Sequence, residues 1–468
     1  FFMAGLYWIG ISVTADWQAF WWFLPVPVLG LPALLSFIQG LLTLPFWYLG
    51  RLGQFTASMA FIAAWFLAEW TKLWLFTGFP WNLLGYSLAF GPWMTQLAAV
   101  GGIWLLSFLV LLGSILPWAL FKATPEVRFL GRLRAISFAA GGLAWASLIA
   151  YSAWVLATSP NFEALNKDQP YVALIQPNRD QGVLQNQEQQ QSVIDTLKKL
   201  TKVAFALGEA KGLTVQAAIW PEAAVPDFLA LKPDLRASLA EILPQGSHLI
   251  TGAVRAHLGA ENEILYFNSL EVLDSQAKIP AHYNKRHLVP FGEYVPLRPY
   301  ISWMNSITGG MIDTTPGVPS RAIQLPNLPK FAPSICYEAI VPDFIIHKQN
   351  ANAAWILNIT NDGWFGISSG PYQHFAIQRI RAIEERRALV RVSNPGISGA
   401  FDAFGRNSAL IGLNKQSFNL VQIPSQPKLS NFFSIIGNWI CGLITGILLL
   451  LFALCLFFDH KYAIKKNR

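Results

Sequence analysis

One cysteine of this chain is placed where a thiol could act as a nucleophile. Cys336 is the only one of the three cysteines that lies outside an apolar, membrane-like segment. It follows the run 331–335, which is typical of a short buried strand, and the chain turns polar directly after it. A thiol at a turn that ends a strand can be reached by a substrate carbonyl group. A core cysteine is the alternative, because free cysteine is among the most buried residue types and exposure decides its reactivity.

Two charged residues upstream are candidates to assist this thiol. Glu222 ends the motif Trp220-Pro221-Glu222, and Lys285 ends Tyr283-Asn284-Lys285. Each follows an apolar or strand-like run, so we expect three strand ends to converge on one pocket. The carboxylate would take the thiol proton and return it to a leaving group. The ammonium would stabilise the thiolate and the oxyanion formed after attack, and the thioester would divide an acyl transfer into two easier steps.

The composition is that of a membrane protein with an uneven charge distribution. The 468 residues are 53% hydrophobic and 13% charged, against roughly 25% charged in soluble domains. From residue 1 to 121 the only charges are Asp16, Arg51, Glu69 and Lys72, and all seven histidines come at His248 or later. Three cysteines, two of them in the last apolar segment, provide no disulfide framework. The net charge of +8 does not indicate nucleic acid binding, because many of the cations flank apolar segments.

Six segments are apolar enough to be candidate membrane helices: 1–13, 22–49, 55–76, 92–121, 135–156 and 432–458. The chain begins inside the first of these, so we expect one or more further helices to precede Phe1. Glu69 and Lys72, three residues apart near the end of a predicted helix, are expected to pair or to reach the interface; a buried functional pair is the alternative.

Lysine and arginine predict the orientation in the membrane. Four cations crowd one loop (Lys122, Arg128, Arg132 and Arg134) and four more end the chain (Lys461, Lys465, Lys466 and Arg468). Both clusters are expected in the cytoplasm. The predicted domains are a helix bundle over 1–158, an extracytoplasmic domain over 159–430, and a final helix with a basic tail over 431–468.

The polar half alternates short apolar runs with helical patterns, which favours an α/β or layered α+β fold. Strands are predicted over 171–176, 215–220, 249–254, 265–272, 331–336, 354–359, 388–392 and 398–404, and helices over 187–207 and 372–387. Residues 404–407 predict a hairpin turn. Two apolar loops, 291–319 and the stretch from Trp364 onward, either cover the core or lie at the membrane surface and admit a lipid chain.

The motifs around these residues resemble the nitrilase superfamily. The matching text is Trp220-Pro221-Glu222, Tyr283-Asn284-Lys285 with Leu288-Val289-Pro290-Phe291-Gly292-Glu293, Cys336-Tyr337-Glu338, Asn358-Ile359-Thr360-Asn361-Asp362-Gly363-Trp364-Phe365, and Gln373-His374 leading into Arg381-Ala382-Ile383-Glu384. With membrane helices on both sides, the resemblance is to the apolipoprotein N-acyltransferase family, which completes bacterial lipoprotein maturation. It covers nearly the whole chain.

The resemblance implies a nitrilase-like four-layer α-β-β-α sandwich attached to a transmembrane helix bundle. It implies Cys336 as nucleophile, Glu222 as general base and Lys285 as oxyanion-stabilising cation, with supporting or substrate-positioning roles for Glu293, Tyr337 and Glu338. It also implies ping-pong transfer of an acyl chain from a phospholipid to Cys336, then to the α-amine of the S-diacylglyceryl cysteine of an apolipoprotein. No metal or organic cofactor is implied. We expect a monomer in the bacterial inner membrane, with its catalytic domain on the periplasmic side.

One departure and two alternatives remain open. We expect a tryptophan in the segment after the first strand, yet residues 176–190 contain none. How the substrate is held therefore stays open.

A membrane-tethered nitrilase-type amidase acting on a small amide would use the same triad, although apolar loops and a large bundle favour lipid substrates. A transporter or receptor would carry ionisable residues within the spans, and these are nearly absent. His282 and His287 are expected to be structural, and Asn361 and Asp362 to shape a loop beside the site.

Overall fold

The computed structural model describes residues 1–14, 21–49, 54–118, 128–161, 164–165, 168–179, 187–300, 313–427 and 431–466. Two of the cations used to predict the orientation, Lys122 and Arg468, lie outside these residues. So do residues 180–186 after the first strand and residues 301–312 of the first apolar loop.

Helices form almost all of the described structure before residue 160. They are α1 (Phe2–Leu6), α2 (Ile9–Val13), α3 (Leu31–Leu49), α4 (Gln54–Thr71), α5 (Ala98–Trp118) and α6 (Arg128–Thr158). A π-helical turn, Val26–Gly30, precedes α3, and Gly101 and Gly102 interrupt α5 with non-helical torsion angles. After the polar half come α10 (Phe433–Ile436) and α11 (Trp439–Lys466).

Four stretches of the described chain are long and apolar enough to cross a membrane: Trp21–Tyr48, Ala98–Pro117, Phe138–Thr158 and Trp439–Phe457. They fall on four of the six predicted segments. The first predicted segment instead folds as α1 and α2, and the third folds as α4, which ends at Thr71. Helix α4 is not among the four because polar residues such as Ser58 and Glu69 lower its hydropathy.

Glu69 and Lys72 are both buried and hold the same loop. The Glu69 carboxylate accepts a hydrogen bond from the backbone N of Leu84 at 2.7 Å, and the Lys72 Nζ donates to the carbonyl of Asn82 at 3.3 Å. The expectation that these side chains reach the interface is therefore wrong. A loop within the bundle has to satisfy its backbone groups internally, and these two side chains do so.

The polar half contains two six-stranded sheets. The first has the order β12-β1-β2-β3-β4-β5 and the second β11-β10-β9-β8-β7-β6. Strands β1 to β3 run parallel, as do β7 to β9. The strands are β1 (Tyr171–Gln176), β2 (Val215–Ile219), β3 (His248–Leu258), β4 (Ile264–Asp274), β5 (Ala281–Asn284), β6 (Ile323–Leu325), β7 (Leu328–Ile335), β8 (Trp355–Thr360), β9 (Ala388–Ser393), β10 (Ser398–Phe401), β11 (Asn407–Ile411) and β12 (Ser417–Gln422). The predicted hairpin turn is confirmed, because β10 and β11 are antiparallel neighbours.

The layers follow from which face of each strand is apolar. Buried side chains of both sheets, including Val172, Ile219, Leu357 and Val390, meet in a core between the sheets. Helices α7 (Gln187–Ala210) and α8 (Pro233–Ala240) cover the outer face of the first sheet. Helix α9 (Gly370–Glu385) covers the second sheet. The four-layer α-β-β-α sandwich and its attached helix bundle are thus as predicted.

Helix α9 also fastens the sandwich to the bundle. Its other face carries Ile380 and Ile383, which belong to the hydrophobic core of the bundle. The buried carboxylate of Glu384 accepts a hydrogen bond at 2.7 Å from the backbone N of Ile103, directly after the break in α5. A free N–H group at a helix start binds an anion well. This contact joins the polar half of the chain to helix α5 of the bundle.

Candidate active site

Cys336 lies at a sharp turn between β7 and a 3₁₀ turn, Cys336–Ile340. Its φ angle is +51°, in the left-handed region that favours glycine. Such strain persists where the surrounding structure holds it, and it is frequent at functional sites. The residue is 7% exposed. The cysteine is therefore buried, as the alternative of a core cysteine expects. It lies, however, on a strained turn at the end of a parallel strand.

Glu222 lies just beyond β2 on a turn that rests against the neighbouring strand. The backbone N of Gly252 donates to the Pro221 carbonyl at 3.1 Å, and the N of Val225 donates to the Gly252 carbonyl at 3.0 Å. A side chain at position 252 would collide with the backbone of this turn, since a Cβ there would lie 2.6 Å from the Cα of Glu222. Glycine at this position lets the turn approach the sheet closely.

Lys285 follows β5 and binds two carboxylates. Its Nζ lies 2.9 Å from Glu293 Oε2 and 3.3 Å from Glu222 Oε1. The amide of Asn268, on β4, donates to both of these glutamates at 2.8 Å. The lysine side chain is 1% exposed. The structure thus brings together the predicted residues Glu222, Lys285 and Glu293 and adds Asn268, which the sequence motifs did not indicate.

Burial and neighbouring charge set the protonation states. Burial by itself lowers the pKa of the Lys285 ammonium, but the carboxylates of Glu222 and Glu293 outweigh it and hold that pKa well above its usual range. Burial, reinforced by the Glu222 carboxylate, raises the pKa of the Cys336 thiol, while Lys285 and the hydroxyl of Thr360 oppose the rise. At neutral pH the lysine is therefore a cation, and the resting thiol is protonated.

A buried polar network lies behind Cys336. The Asn358 amide approaches the carbonyl of Cys336 at 3.4 Å, and His374 also hydrogen-bonds to the Cys336 backbone. The His374 ring lies 2.9 Å from Asp362, which is paired in turn with Arg391. All these side chains are buried. Asp362 therefore shapes the region beside the site, as predicted, and the network stabilises the strained turn.

Glu338 and Tyr337 connect this turn to its surroundings. The Glu338 carboxylate accepts hydrogen bonds from the Tyr283 hydroxyl and from the backbone N of Arg286, His287 and Ile335 at 2.7 to 3.2 Å. It thereby joins the strand end carrying Cys336 to the segment that follows Lys285. Tyr337 donates from its hydroxyl to the carbonyl of Gly78 in the bundle at 2.8 Å.

The two predicted structural histidines have different surroundings. His287 stacks on the Tyr337 ring with a centroid distance of 5.4 Å. Burial, together with the positive charge of Lys285, lowers the pKa of His287 to about 4, so the imidazole is neutral at pH 7. His282 lies on β5, and its side chain is exposed.

Elements of the bundle pack against Tyr337, next to Cys336, and against helix α9. The indole N–H groups of Trp8 and Trp81 donate to Gln373 of α9 at 3.0 and 2.7 Å. Phe365 packs against both indole rings, with centroid distances of 4.5 and 5.6 Å. Ile367, two residues further on, is 78% exposed. The second apolar loop therefore covers the core with one residue and exposes another.

The first apolar loop is divided in the same way. Phe291 contacts Phe23 of the first membrane segment, with a centroid distance of 6.4 Å. Leu297 and Tyr300 are 71% and 83% exposed. In both loops, therefore, one aromatic residue contacts the bundle while Leu297, Tyr300 and Ile367 are exposed.

Comparison with known proteins agrees with this architecture. Residues 1–116 match the family model described as the apolipoprotein N-acyltransferase N-terminal domain, and residues 171–423 match the carbon-nitrogen hydrolase model. The fold resembles an amidase from Nesterenkonia sp. at 17% identity, with a TM-score of 0.39 over 55% of this chain and 90% of that one.

Curated relatives extend the match over nearly the whole chain. The apolipoprotein N-acyltransferase of Rhodopseudomonas palustris is 34% identical over 461 residues, which is 96% of this chain and 83% of the relative. That of Rickettsia prowazekii is 33% identical over 466 residues, which is 98% of this chain and 88% of the relative. The chain is therefore a membrane protein that belongs to the apolipoprotein N-acyltransferase family, within the carbon-nitrogen hydrolase superfamily.

Proposed function

We propose that this enzyme transfers an acyl chain from a phospholipid to Cys336, and from Cys336 to the α-amine of the S-diacylglyceryl cysteine of an apolipoprotein. The observation that carries the proposal is the buried cluster of Glu222, Lys285 and Glu293 beside a strained cysteine, in a domain that packs against a bundle of apolar helices. The family names of its relatives agree with this reaction.

In the first half-reaction Glu222 removes the thiol proton as the sulfur of Cys336 attacks the ester carbonyl carbon. Lys285 stabilises the oxyanion of the tetrahedral intermediate. The bond between the carbonyl carbon and the glycerol oxygen then breaks, and Glu222 returns the proton to that oxygen. A lysophospholipid leaves, and the acyl chain remains as a thioester.

In the second half-reaction the neutral α-amine attacks the thioester carbonyl. Glu222 accepts the proton that the amine loses, the carbon–sulfur bond breaks, and the proton goes to the sulfur. The products are an amide and the free thiol, so the enzyme returns to its starting state.

The two carboxylates beside Lys285 have different roles in the proposed cycle: Glu222 transfers the proton, and Glu293 stays as the counter-ion of the lysine. When Glu222 is protonated, it no longer balances the charge of the lysine. Glu293 remains bound at 2.9 Å and keeps a counter-ion in place. The ammonium therefore stays charged throughout the cycle, which is what oxyanion stabilisation requires. Tyr337 and Glu338 act as positioning residues through the contacts described above.

The membrane setting follows from the same proposal. The exposed apolar side chains of the two loops, Leu297, Tyr300 and Ile367, would lie at the outer leaflet, where a phospholipid chain can enter. The charge clusters support an orientation with the sandwich outside the cytoplasm, hence on the periplasmic side of the bacterial inner membrane. The proposed domains are 1–158, 159–430 and 431–468, and the proposed working form is a monomer.

Intact-mass spectrometry tests the proposal. Incubation of the purified protein with phospholipid alone should add one fatty acyl mass, and Cys336→Ala should remain unmodified. A diacylated lipopeptide with a free α-amine should then remove the added mass and become N-acylated. A protein that stays unmodified, or an acyl group that is released only as free acid, would reject N-acyl transfer and favour a hydrolytic amidase.

A further inference from the structure

Arg179 lies at the same edge of the sandwich as the nucleophile. It follows β1 by three residues, after a turn in which Asn178 has a φ angle of +51°. Its backbone N donates to the side-chain oxygen of Asn394 at 2.8 Å. The backbone N of Asn394 donates to the Thr360 carbonyl at 3.1 Å, and the Thr360 hydroxyl lies beside the Cys336 thiol. Three successive contacts therefore connect Arg179 to the nucleophile.

The guanidinium of Arg179 has a buried nitrogen for which the described part of the chain offers no partner. The residue is 7% exposed, and its Nη2 has no hydrogen-bond partner among the described residues. Burial lowers the pKa of this guanidinium.

The other buried arginines of the sandwich are bonded differently. Arg391 pairs with Asp362 and Arg381 with Glu384. The guanidinium groups of Arg379, Arg386 and Arg387 donate to carbonyl groups. Within the described part of the chain, Arg179 is thus the buried arginine whose guanidinium bonds no protein group.

A buried guanidinium is costly unless an acceptor satisfies it. Its planar array of N–H donors matches the oxygens of a phosphate or carboxylate group. We propose that Arg179 binds the phosphate of the phospholipid acyl donor while the neighbouring ester is attacked by Cys336. This inference rests on the proposed function.

The chemistry of the two substrates favours the donor over the acceptor. The donor carries an anionic phosphate diester a few bonds from the reacting ester. The acceptor reacts through an amine, which is a cation when protonated and would be repelled by a guanidinium. Arg179 should therefore act in the first half-reaction and have little effect on the second.

The test compares two acyl donors that differ in the phosphate. Single-turnover acylation of Cys336 is measured by intact mass in mixed micelles of an uncharged detergent, with phosphatidylglycerol or with a diacylglycerol of the same chains. Because a charged hydrogen bond is lost, Arg179→Met should raise the donor concentration needed for half-maximal acylation by phosphatidylglycerol by about 10- to 100-fold. The rate with diacylglycerol should not change, and Arg179→Lys should restore part of the loss.

Controls separate a binding role from a structural one. Lys211→Met removes a positive charge from an exposed turn at the opposite end of the parallel strands and should leave both donors unaffected. Equal loss with both donors would overturn the proposal and indicate that Arg179 only supports the fold. Equal acylation of Arg179→Met and wild type by phosphatidylglycerol would also overturn it.

Two further results keep the inference distinct from the proposed function. If inorganic phosphate stimulates acylation by diacylglycerol in the wild type but not in Arg179→Met, the site takes free phosphate, and the assignment to the lipid headgroup is wrong. If phosphatidylglycerol fails to acylate wild-type Cys336 at all, the proposed function itself fails, together with this inference.

Discussion

Gly252→Ala tests how closely the proposed base is held. The methyl group would lie 2.4 Å from the N of Ala223, 2.6 Å from the Cα of Glu222 and 2.7 Å from the carbonyl oxygen of Pro221. All three atoms belong to the backbone of one turn, so no flexible side chain can move aside. Ordinary contacts begin at 3.4 Å, so the turn has to recede by about 0.7 to 1.0 Å.

The consequences follow from what the turn carries. Two backbone hydrogen bonds join it to Gly252, so it cannot move without lengthening them. Glu222 would shift relative to Lys285 and Asn268, which it contacts at 3.3 and 2.8 Å. Misplacement of a catalytic group by about 1 Å can cost about 100-fold in rate. Overpacking of this kind also costs about 1–3 kcal/mol of stability.

The assay is single-turnover acylation of Cys336 by phospholipid, followed by intact mass, with thermal unfolding measured in parallel. Gly412→Ala is the matched control, because a methyl group there would meet no atom nearer than Lys415 Cγ at 3.9 Å. The control should be acylated at the wild-type rate. If Gly252→Ala were acylated within about a factor of three of wild type, the turn would not position the base and the reasoning would be wrong.

Three other predictions concern the contacts that support the turn at Cys336, the protonation of its thiol and the membrane topology. In Glu338→Gln, an amide N–H faces at least one of the four donor groups whose hydrogen bonds the carboxylate now accepts. We therefore expect the free energy of unfolding to fall by about 1.5–3 kcal/mol, seen as a lower melting temperature, and acylation to be slower. An unchanged melting temperature would contradict this. Because burial and Glu222 raise the pKa of Cys336, the thiol is protonated at neutral pH, and its alkylation by iodoacetamide should still be increasing at about pH 10. A plateau by about pH 8 would argue against a raised thiol pKa. A reporter that is active only in the cytoplasm should be silent when fused near Pro160, and a strong signal there would reverse the proposed orientation.

The sequence predicted the elements whose apolar periodicity is clear. Strand β1 matches its predicted bounds, and strands β2, β8 and β9 match within one residue at each end. Helix α7 begins at Gln187, the predicted start of that helix. Such patterns are local, because burial of one face imposes its period on each segment separately.

The sequence did not predict four strands: β5, β6, β11 and β12. Strand β5 has only four residues and β6 has three, too few to show a period. Strand β12 pairs with β1 across about 240 residues of chain, with Val421 opposite Val172. These strands exist because a neighbouring strand offers them hydrogen bonds, and this information is not local.

By itself the sequence determined which residue types could do chemistry and roughly where each follows a strand: Cys336, Glu222 and Lys285. Only the tertiary structure decided how they are coupled. It placed Asn268 between two glutamates, Gly252 beneath the turn that carries Glu222, and Arg179 three contacts from the Cys336 thiol. The physical reason is that a pKa, a close approach or an unsatisfied charge depends on neighbours in space, which the order of residues along a chain does not specify.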